Sequence, residues 1–199
     1  MPNDILFQSA KIWETLLDHK YILTVGYKKQ LHIINITFSK KDFSHLAGFQ
    51  YLKDLPILKL NSTQILTKIL ERKITYEQVN RGILFAEMVE PRLNALIHLK
   101  EILDNDFTLF TYIPKFYSFA TTIKADYLLS SNIGSKHFVF ILRTHNIQNT
   151  DNSFLCCSAF TKGDRDYESN QRKRTLLKKE RIHIPTNTST ILFNKLYEP

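Results

Sequence analysis

The stretch "FTLFTYIPKFYSFATTIKADYLLSSNIGSKHFVFILRTH", residues 107–145, decides the fold class, because the pattern of the chain changes there. Aromatic and β-branched residues alternate with polar ones in three runs, and the turn-forming groups "PK" and "SNIG" separate these runs. Alternation with a period of two is typical of strands that bury one face. The later segments "SFLCCSAF" (153–160), "KERIHI" (179–184) and "STILF" (189–193) repeat the pattern. Six short strands with few helical signals between them predict an antiparallel sheet.

The residues before this stretch have mainly helical spacing. Apolar residues recur at intervals of three and four over 4–19, where Asp4 is a candidate N-cap, and again over 62–72. A longer helical pattern begins near Thr75, and we expect Pro91 to kink or end it because proline cannot donate a backbone hydrogen bond. The N-terminal half is therefore predicted to be mostly helical.

One hairpin interrupts the helices of the N-terminal half. The β-rich segments 21–27 and 31–38 are joined by "KKQ", which is short enough for a tight turn. The predicted fold class is α+β, with N-terminal helices packed on one face of a twisted antiparallel β-sheet. We expect a single domain over 1–199, in which 1–105 is mainly helical with the short hairpin and 106–199 is mainly antiparallel sheet.

The composition is that of a folded protein that does not cross a membrane. Hydrophobic residues make up 43% of the 199 positions, which is enough for a substantial core. No apolar run reaches membrane-spanning length. The N-terminal "MPNDILFQSAKIWETLLDHK" mixes charged with apolar residues, so it is predicted to be an amphipathic helix and not a signal peptide. These features predict a cytoplasmic protein with no membrane partner.

The charge of the chain is strongly basic, with a formal net value of +8. Half of that excess comes from Lys162 to His183, where eight Lys or Arg residues face four Asp or Glu residues. Such a stretch is either a solvated face or a surface for phosphate groups, and the two interpretations have equal weight. The candidate nucleic-acid-binding residues are Lys162, Arg172, Lys173, Arg174, Lys178 and Lys179.

Common catalytic motifs are absent from the sequence. With five glycines in all, neither a dinucleotide fingerprint nor a phosphate-binding loop can be assembled, and we expect no cofactor. The sequence contains no HExxH or GxSxG motif and no Cys/His zinc spacing, so no metal site is predicted. The two cysteines, Cys156 and Cys157, are adjacent, and neighbouring strand residues point to opposite faces. Any phosphate chemistry is predicted to be independent of metal.

Metal-independent RNA cleavage needs a base for the 2′-hydroxyl, an acid for the leaving 5′-oxygen and a cation or donor for the crowded phosphorane. Histidine can carry either proton, lysine and arginine supply charge, and hydroxyl and amide groups donate to phosphate oxygens. These residue types all occur on the predicted sheet. They are Lys124, Arg143, His145, Ser158, Thr161, Tyr167 and Gln171.

Two segments resemble a known nuclease family. "FSHLAGF" (43–49) resembles the Phe-x-His-Leu-x-Gly-Leu segment of a phage-associated branch of the Barnase–EndoU–colicin E5/D–RelE-like (BECR) nucleases. "CCSAFTKGDRDYESNQRKRTLLKKERI" (156–182) resembles that branch's Ser-Phe-Phe segment, its Asp-Tyr…Gln element and its basic strand. Ala47, Phe49 and Ala159 depart from the family pattern, but these are apolar changes that alter packing more than chemistry.

The resemblance implies a BECR-like nuclease fold and carries over His45, Ser158, Tyr167 and Gln171 as site residues. Lys124 and Thr161 join these candidates on chemistry alone. Independently of the family, Phe43, Leu46 and Phe49 lie at i, i+3 and i+6, so they should anchor one side of a short helix and turn His45 away from it. Gly48 should then permit a left-handed exit or a close approach of a neighbouring strand. The competing interpretation of His45 is a packed histidine bonded to the backbone.

Three functions are consistent with these observations. The first is a metal-independent endoribonuclease, a toxin or phage-related effector, acting on RNA, with tRNA among the candidate substrates. The second is a non-catalytic basic module on the same fold that binds nucleic acid or protein, for example a phage-encoded inhibitor. The third is a protein-interaction module in which residues 62–103 dock a partner such as an antitoxin or a phage or host protein. Only the first requires the histidine.

Overall fold

The computed structural model describes residues 4–144 and 152–196. Within them lie six α-helices and eight β-strands. The helices are α1 (Ile5–Leu17), α2 (Asp42–Leu46), α3 (Ser62–Leu70), α4 (Tyr76–Val79), α5 (Glu90–Leu96) and α6 (Leu99–Asp104). The strands are β1 (His19–Tyr27), β2 (Gln30–Thr37), β3 (Thr108–Thr111), β4 (Tyr127–Ile133), β5 (Ser135–Arg143), β6 (Ser153–Thr161), β7 (Arg172–His183) and β8 (Thr188–Asn194). None of the described helices is long and apolar enough to cross a membrane.

Seven of the strands close into a β-barrel. The order β1-β2-β6-β5-β4-β3-β7 returns to its start because β7 also pairs with β1, from His19↔His183 to Gly26↔Thr175. The other edge of β7 pairs first with β3 and then with β8, which is an additional strand outside the ring. The predicted α+β arrangement of N-terminal helices on an open twisted antiparallel sheet is therefore wrong. β7 has 12 residues and is long enough to pair with several strands. The alternation of apolar and polar residues within it does not reveal which strands these are.

The barrel is also not wholly antiparallel. β2 and β6 run parallel and pair only from Asn35↔Ser153 to Thr37↔Leu155, whereas the other described strand pairs are antiparallel. Register shifts occur in the β1–β7, β5–β6 and β7–β8 pairs. Such bulges raise local twist and bend the strand, and both effects help a sheet to close on itself.

Local elements of the N-terminal half agree with their sequence signals. The carboxylate of Asp4 accepts a hydrogen bond from the Phe7 amide at 2.9 Å and caps α1. The predicted hairpin is β1–β2, and its turn places Lys28 and Lys29 at φ 48° and 64°. Pro91 is the second residue of α5, which directly follows a π-helical segment, Phe85–Val89. The helical geometry therefore changes beside the proline, and the first turn of α5 tolerates it because that turn does not need the missing amide hydrogen.

Two hydrophobic clusters lie on opposite faces of β4, β5 and β6. The larger one joins the helices to the barrel and includes Leu129, Val139 and Ile141. The smaller one contains Leu128, which precedes Leu129, and Phe140, which lies between Val139 and Ile141. Adjacent residues of a strand point to opposite faces of the sheet. Aromatic side chains from 112–125 cover this second cluster. The second of the three predicted strand runs in 107–145, "YSFATTIKADYLLS" (117–130), is therefore mostly a covering loop, and β4 begins only at Tyr127.

Candidate active site

His45 lies near the end of the short helix α2, with its side chain exposed. On the other side of the helix Phe43 and Leu46 are buried, and Phe49 follows in the next turn with 1% of its surface exposed. Burying each phenylalanine contributes roughly 1.5–3 kcal/mol, which is enough to fix the orientation of a five-residue helix. The predicted anchoring of this helix is confirmed, and His45 is not a packed core histidine.

The backbone after His45 depends on glycine. Gly48 has φ 82°, a left-handed conformation that residues with a β-carbon rarely adopt. A β-carbon there would lie 2.7 Å from Cδ of Arg92 and 2.8 Å from the carbonyl oxygen of Met88. Both the left-handed exit and the close approach are therefore present, but the neighbour is a helical segment and not a strand.

A pocket of about 300 Å³ brings His45 together with residues from two other parts of the chain. Lys124 comes from the loop before β4, and Ser158 comes from the middle of β6. Tyr51 and Arg92 complete its polar lining along with Gln50 and Thr122. Three of the six candidate catalytic residues thus share one cavity, although more than 100 positions separate the first from the last.

The position of Ser158 follows from a register shift between β5 and β6. Phe140 pairs with Ser158 and Ile141 pairs with Cys156, so Cys157 has no partner of its own. Cys156 is buried in the larger cluster, whereas Cys157 lines the pocket beside Ser158. Burial raises the pKa of the Cys157 thiol to about 12, so it stays protonated at neutral pH. The thiol donates to the carbonyl oxygens of Lys124 and Phe140, and a protonated thiol is a poor nucleophile, so the serine hydroxyl is the better candidate to bond a ligand.

Arg92 is the main cation that the sequence patterns did not single out. Its guanidinium lies over the Tyr51 ring at 5.0 Å and donates a hydrogen bond to the Met88 carbonyl oxygen at 2.5 Å. Burial lowers the pKa of this guanidinium, and electrostatic interactions with Tyr51 and Tyr167 oppose that effect in part. Among the described residues no carboxylate forms a salt bridge with it. A half-buried arginine without a counter-ion is suited to receiving an anion.

A second, larger pocket of about 680 Å³ adjoins the first. The two share Tyr51, Arg92, Thr122 and Ile123 in their linings. The second pocket is also lined by Arg165, by Pro91 in the first turn of α5 and by Phe160 near the end of β6. Two further candidates from the sequence belong to it as well. These two candidates are Thr161 and Tyr167.

Thr161 and Tyr167 are held in different ways. The Thr161 hydroxyl lies 3.4 Å from both the Pro91 carbonyl oxygen and Nδ1 of His137, which is buried. Burial lowers the pKa of His137, so its ring is neutral and can share a proton with the threonine. Tyr167 packs its ring against an aromatic group that includes Phe140, at 5.4 Å between centroids. Both residues therefore have structural contacts as well as a place in the pocket wall.

Comparison with known protein families gives a match over residues 5–196, to the family described as "phage-Barnase-EndoU-ColicinE5/D-RelE like nuclease4". The chain belongs to this nuclease family. The resemblance identified from two short segments is thereby confirmed and extends over almost the whole sequence. No curated protein and no solved structure was found to match.

Membership of this phage-related nuclease family supports a nuclease-like function and implies a nucleic-acid substrate. Residues 4–144 and 152–196 contain no group of three or more His, Cys, Asp or Glu side chains placed to hold a metal ion. The charged and polar groups that line the two pockets are an imidazole, three cations, two carboxylates and several hydroxyls. The cations are Arg92, Lys124 and Arg165, and the carboxylates, Glu87 and Asp164, belong to the larger pocket.

The sixth candidate catalytic residue, Gln171, lies outside both pockets. Gln171 is buried, and its carboxamide forms two hydrogen bonds with the backbone of Ile113, at 2.7 Å to the amide nitrogen and 3.2 Å to the carbonyl oxygen. It lines neither pocket. Gln171 therefore has a structural role, because these hydrogen bonds hold Ile113 at the start of the β3–β4 loop that carries Lys124.

The six candidate nucleic-acid-binding residues do not form one patch on the surface. Lys162, Arg172 and Lys173 are exposed, and Arg174 stacks on an aromatic ring. Lys178 pairs with Glu180 at 3.0 Å. Lys179 is only 1% exposed, and its ammonium donates to the Asn105 carbonyl oxygen, so it has no free surface for a phosphate.

Arg143 and His145 were the other basic candidates on the predicted sheet. Arg143 is exposed on β5, with its guanidinium over Phe154, and His145 lies outside the described residues. Arg92 and Tyr51 were missed because a single arginine or tyrosine in a helical region carries no local signal. The small residue at Gly48, against which Arg92 packs, was the nearest sequence indication of a crowded contact.

Proposed function

We propose that this protein is a metal-independent endoribonuclease that cleaves RNA by acid–base transesterification in the His45 pocket. One observation carries the proposal, namely that His45, Lys124, Ser158 and Arg92 line the same cavity. Family membership supplies the nucleic-acid substrate, and the residue types supply chemistry that requires the 2′-hydroxyl of RNA. We further propose a role as a toxin or phage-related effector, which the phage-related description of the family supports.

The cation requirement of the reaction is met by Arg92. The phosphorane formed during transesterification carries more negative charge on its oxygens than the starting diester does. A partly buried guanidinium interacts with that charge more strongly than a solvated one would. Hydrogen bonds from Ser158 and Tyr51 can add to this stabilisation, since both hydroxyls belong to the same wall.

The proton transfers are assigned to His45 and Lys124. The 2′-oxygen bonds to phosphorus while the bond from phosphorus to O5′ breaks. The 2′-hydroxyl proton passes to the His45 imidazole, and O5′ takes a proton from the Lys124 ammonium. The products are a 2′,3′-cyclic phosphate and a 5′-hydroxyl, and no water or metal is consumed in this step.

Incubation of the purified protein with RNA in EDTA tests the proposal, with analysis of the ends of the fragments. We expect 2′,3′-cyclic phosphate ends, and no cleavage of the matching DNA because it lacks the nucleophile. His45→Ala should reduce the rate by about 10²–10⁴-fold, the usual contribution of a positioned acid–base group. His19→Ala is the matched control because that imidazole lines neither pocket.

Retention of full activity in His45→Ala, with the control also active, would show that His45 is not the proton carrier. Absence of cleavage of every RNA tested, with RNA still bound in a salt-dependent way, would instead favour the non-catalytic binding module. The thermal transition of each variant separates a loss of chemistry from a loss of folding.

A further inference from the structure

One end of the barrel carries a second concentration of cations and aromatic rings outside both pockets. There the β1–β2 turn, the first residues of β7 and the turn at Pro114–Phe116 come together. We define the barrel-end surface by five side chains, those of Tyr27, Lys28, Phe116, Arg172 and Arg174. Lys29, Lys115 and Lys173 flank it. Arg172 and Arg174 belong to the basic stretch of the sequence, whereas the other three do not.

The cations of the barrel-end surface lie against its rings. The guanidinium carbon of Arg174 is 3.4 Å from the centroid of the Tyr27 ring, and Nζ of Lys28 is 5.3 Å from the same centroid. Arg172 lies over Phe116 at 5.9 Å. Stacking of this kind orders the long side chains. Nε of Arg174 donates a hydrogen bond to the Thr111 hydroxyl at 2.5 Å, and each guanidinium has further N–H groups besides.

The charge of this surface is not neutralised by acidic neighbours. Within the described ranges no salt bridge involves Lys28, Arg172 or Arg174, although cations elsewhere, such as Arg181, pair with aspartate or glutamate. One terminal nitrogen of Arg174, Nη1, is buried without a hydrogen-bond partner among the described residues. Partial burial raises the pKa of the Tyr27 phenol, but Lys28, Arg174 and Arg172 together outweigh it and lower that pKa.

The residues that follow Phe116 in sequence include aromatic side chains that contact a residue of the larger pocket. Tyr117 follows Phe116 in sequence, and its ring stacks on Phe119 with centroids 4.8 Å apart and planes 8° from parallel. The guanidinium of Arg165 lies over Phe119 at 5.3 Å, and Arg165 lines the larger pocket. Cations and flat rings thus continue from the barrel end to the site that the proposed function uses.

We propose that the barrel-end surface binds a single-stranded segment of the RNA whose scissile phosphate occupies the His45 pocket. Phosphates would contact Lys28 and Arg172, and bases would stack on the exposed parts of the Phe116 and Tyr27 rings. The inference rests on the proposed function for the identity of the polymer as RNA. The alternation of cations with rings favours a nucleic acid over an acidic protein, because bases use the rings and carboxylates do not.

The test is fluorescence anisotropy with a labelled single-stranded RNA of ~12 nucleotides, a length within the range bound by known single-strand surfaces. The RNA carries 2′-O-methyl groups throughout, so that it has no nucleophile and cannot be cleaved. Arg172→Gln should weaken binding and lower the slope of log affinity against log salt concentration by about 1. Phe116→Leu should weaken binding about 5- to 100-fold and leave that slope unchanged, because it removes only base stacking.

Lys53→Gln is the matched control, since it removes an exposed lysine outside the barrel-end surface and both pockets. Phe116→Tyr keeps a ring and should restore binding. Arg172 is exposed, so its replacement tests the proposal even if Phe116→Leu lowers the thermal transition.

Binding by Arg172→Gln and Phe116→Leu that equals binding by Lys53→Gln would overturn the inference. Equal losses by both variants toward a polyglutamate peptide and toward the RNA would also overturn it, in favour of an acidic protein partner. If wild-type protein cleaves no RNA but the variants still show the expected losses, the proposed function fails and the barrel-end surface stands as a binding site.

Discussion

Gly48 lies against Arg92 so closely that a β-carbon on the glycine would come within 2.7 Å of the arginine's Cδ. The glycine follows the helix that carries His45, and the arginine lines both pockets. The missing side chain therefore gives the guanidinium its route into the cavity. This contact explains why the imidazole and a residue without a β-carbon occur together in "FSHLAGF".

Replacing this glycine should damage both the fold and the site. Gly48→Ala requires a left-handed backbone at φ 82° and a collision with the Met88 carbonyl oxygen at 2.8 Å, which is backbone and cannot rotate away. We expect the free energy of unfolding to fall by more than ~1 kcal/mol, the usual cost of the backbone conformation alone. Urea denaturation measures the change.

Two other glycines separate the causes of that loss. Gly134 has φ 65° but open space around it, so Gly134→Ala should show the conformational cost alone. Gly163 has neither constraint, and Gly163→Ala should be close to neutral. If Gly48→Ala is no more destabilising than Gly134→Ala, the contact with Arg92 is not a tight one.

Arg92 should contribute to catalysis through its charge and its planar shape. Arg92→Ala removes a partly buried cation from the pocket, and we expect RNA cleavage to fall by about 10²–10³-fold, as when other preorganised donors to a transition state are lost. Arg92→Lys keeps a charge but loses the two-pronged donor geometry, so it should recover only part of the rate.

Initial rates on the same RNA at saturating substrate measure this effect. Arg81→Ala is the control, because it removes an exposed arginine that lines neither pocket of the candidate site. Full activity of Arg92→Ala would remove this residue from the mechanism.

Much of the local structure could be predicted from the sequence, because caps and turns act over a few residues. Asp4 begins α1, and the segments on either side of Lys28 and Lys29 form a hairpin. The closure of the barrel could not be predicted. The pairing of β7 with β1 joins distant parts of the chain, and alternation within each strand is the same whether the sheet is open or closed.

The candidate site was predictable only in part, for a related reason. His45 and Ser158 lie in short segments with a recognisable family pattern. Lys124 was a candidate for its charge on a predicted strand, and the structure places it in the loop before β4. Gln171 has the right chemical type, but long-range packing directs its carboxamide to Ile113 and away from both pockets. Lys179 has the charge that phosphate binding requires, but strand alternation turns it into the interior.

The burial of Lys179 should make stability depend on pH. Burial lowers the pKa of its ammonium from 10.5 to about 8, and the charges of Asp106 and Asp104 oppose the shift in part. Between these two values the unfolded chain holds a proton that the folded chain has released, so this residue makes stability rise as pH rises from about 8 toward 10.5. Lys179→Met should remove that contribution.

Urea denaturation at several pH values from neutral to 10 measures the effect. Relative to the wild type, Lys179→Met should be most stable at neutral pH and lose up to ~1.4 kcal/mol of this advantage per pH unit above 8. Lys178→Met should keep the wild-type slope, because it leaves Lys179 in place. A difference between Lys179→Met and wild type that is constant with pH would contradict a depressed pKa.

Gln171 should matter for stability more than for chemistry. Gln171→Ala leaves the amide and carbonyl groups of Ile113 without their partner, and we expect a loss of about 1–3 kcal/mol in the free energy of unfolding. Cleavage per folded molecule should fall far less than in His45→Ala, because Gln171 lines neither pocket. Equal losses of rate in the two variants, both fully folded, would return Gln171 to the catalytic set.

The pairing of β7 with β1 also determines when during protein synthesis the barrel can first close. β1 pairs with a strand that begins more than 140 residues later in the chain, and Ser158 and Tyr167 lie shortly before that strand. During synthesis more than 100 residues are therefore added after His45 before Ser158 follows. The candidate site and the closed ring can form only after both segments of the chain have been made.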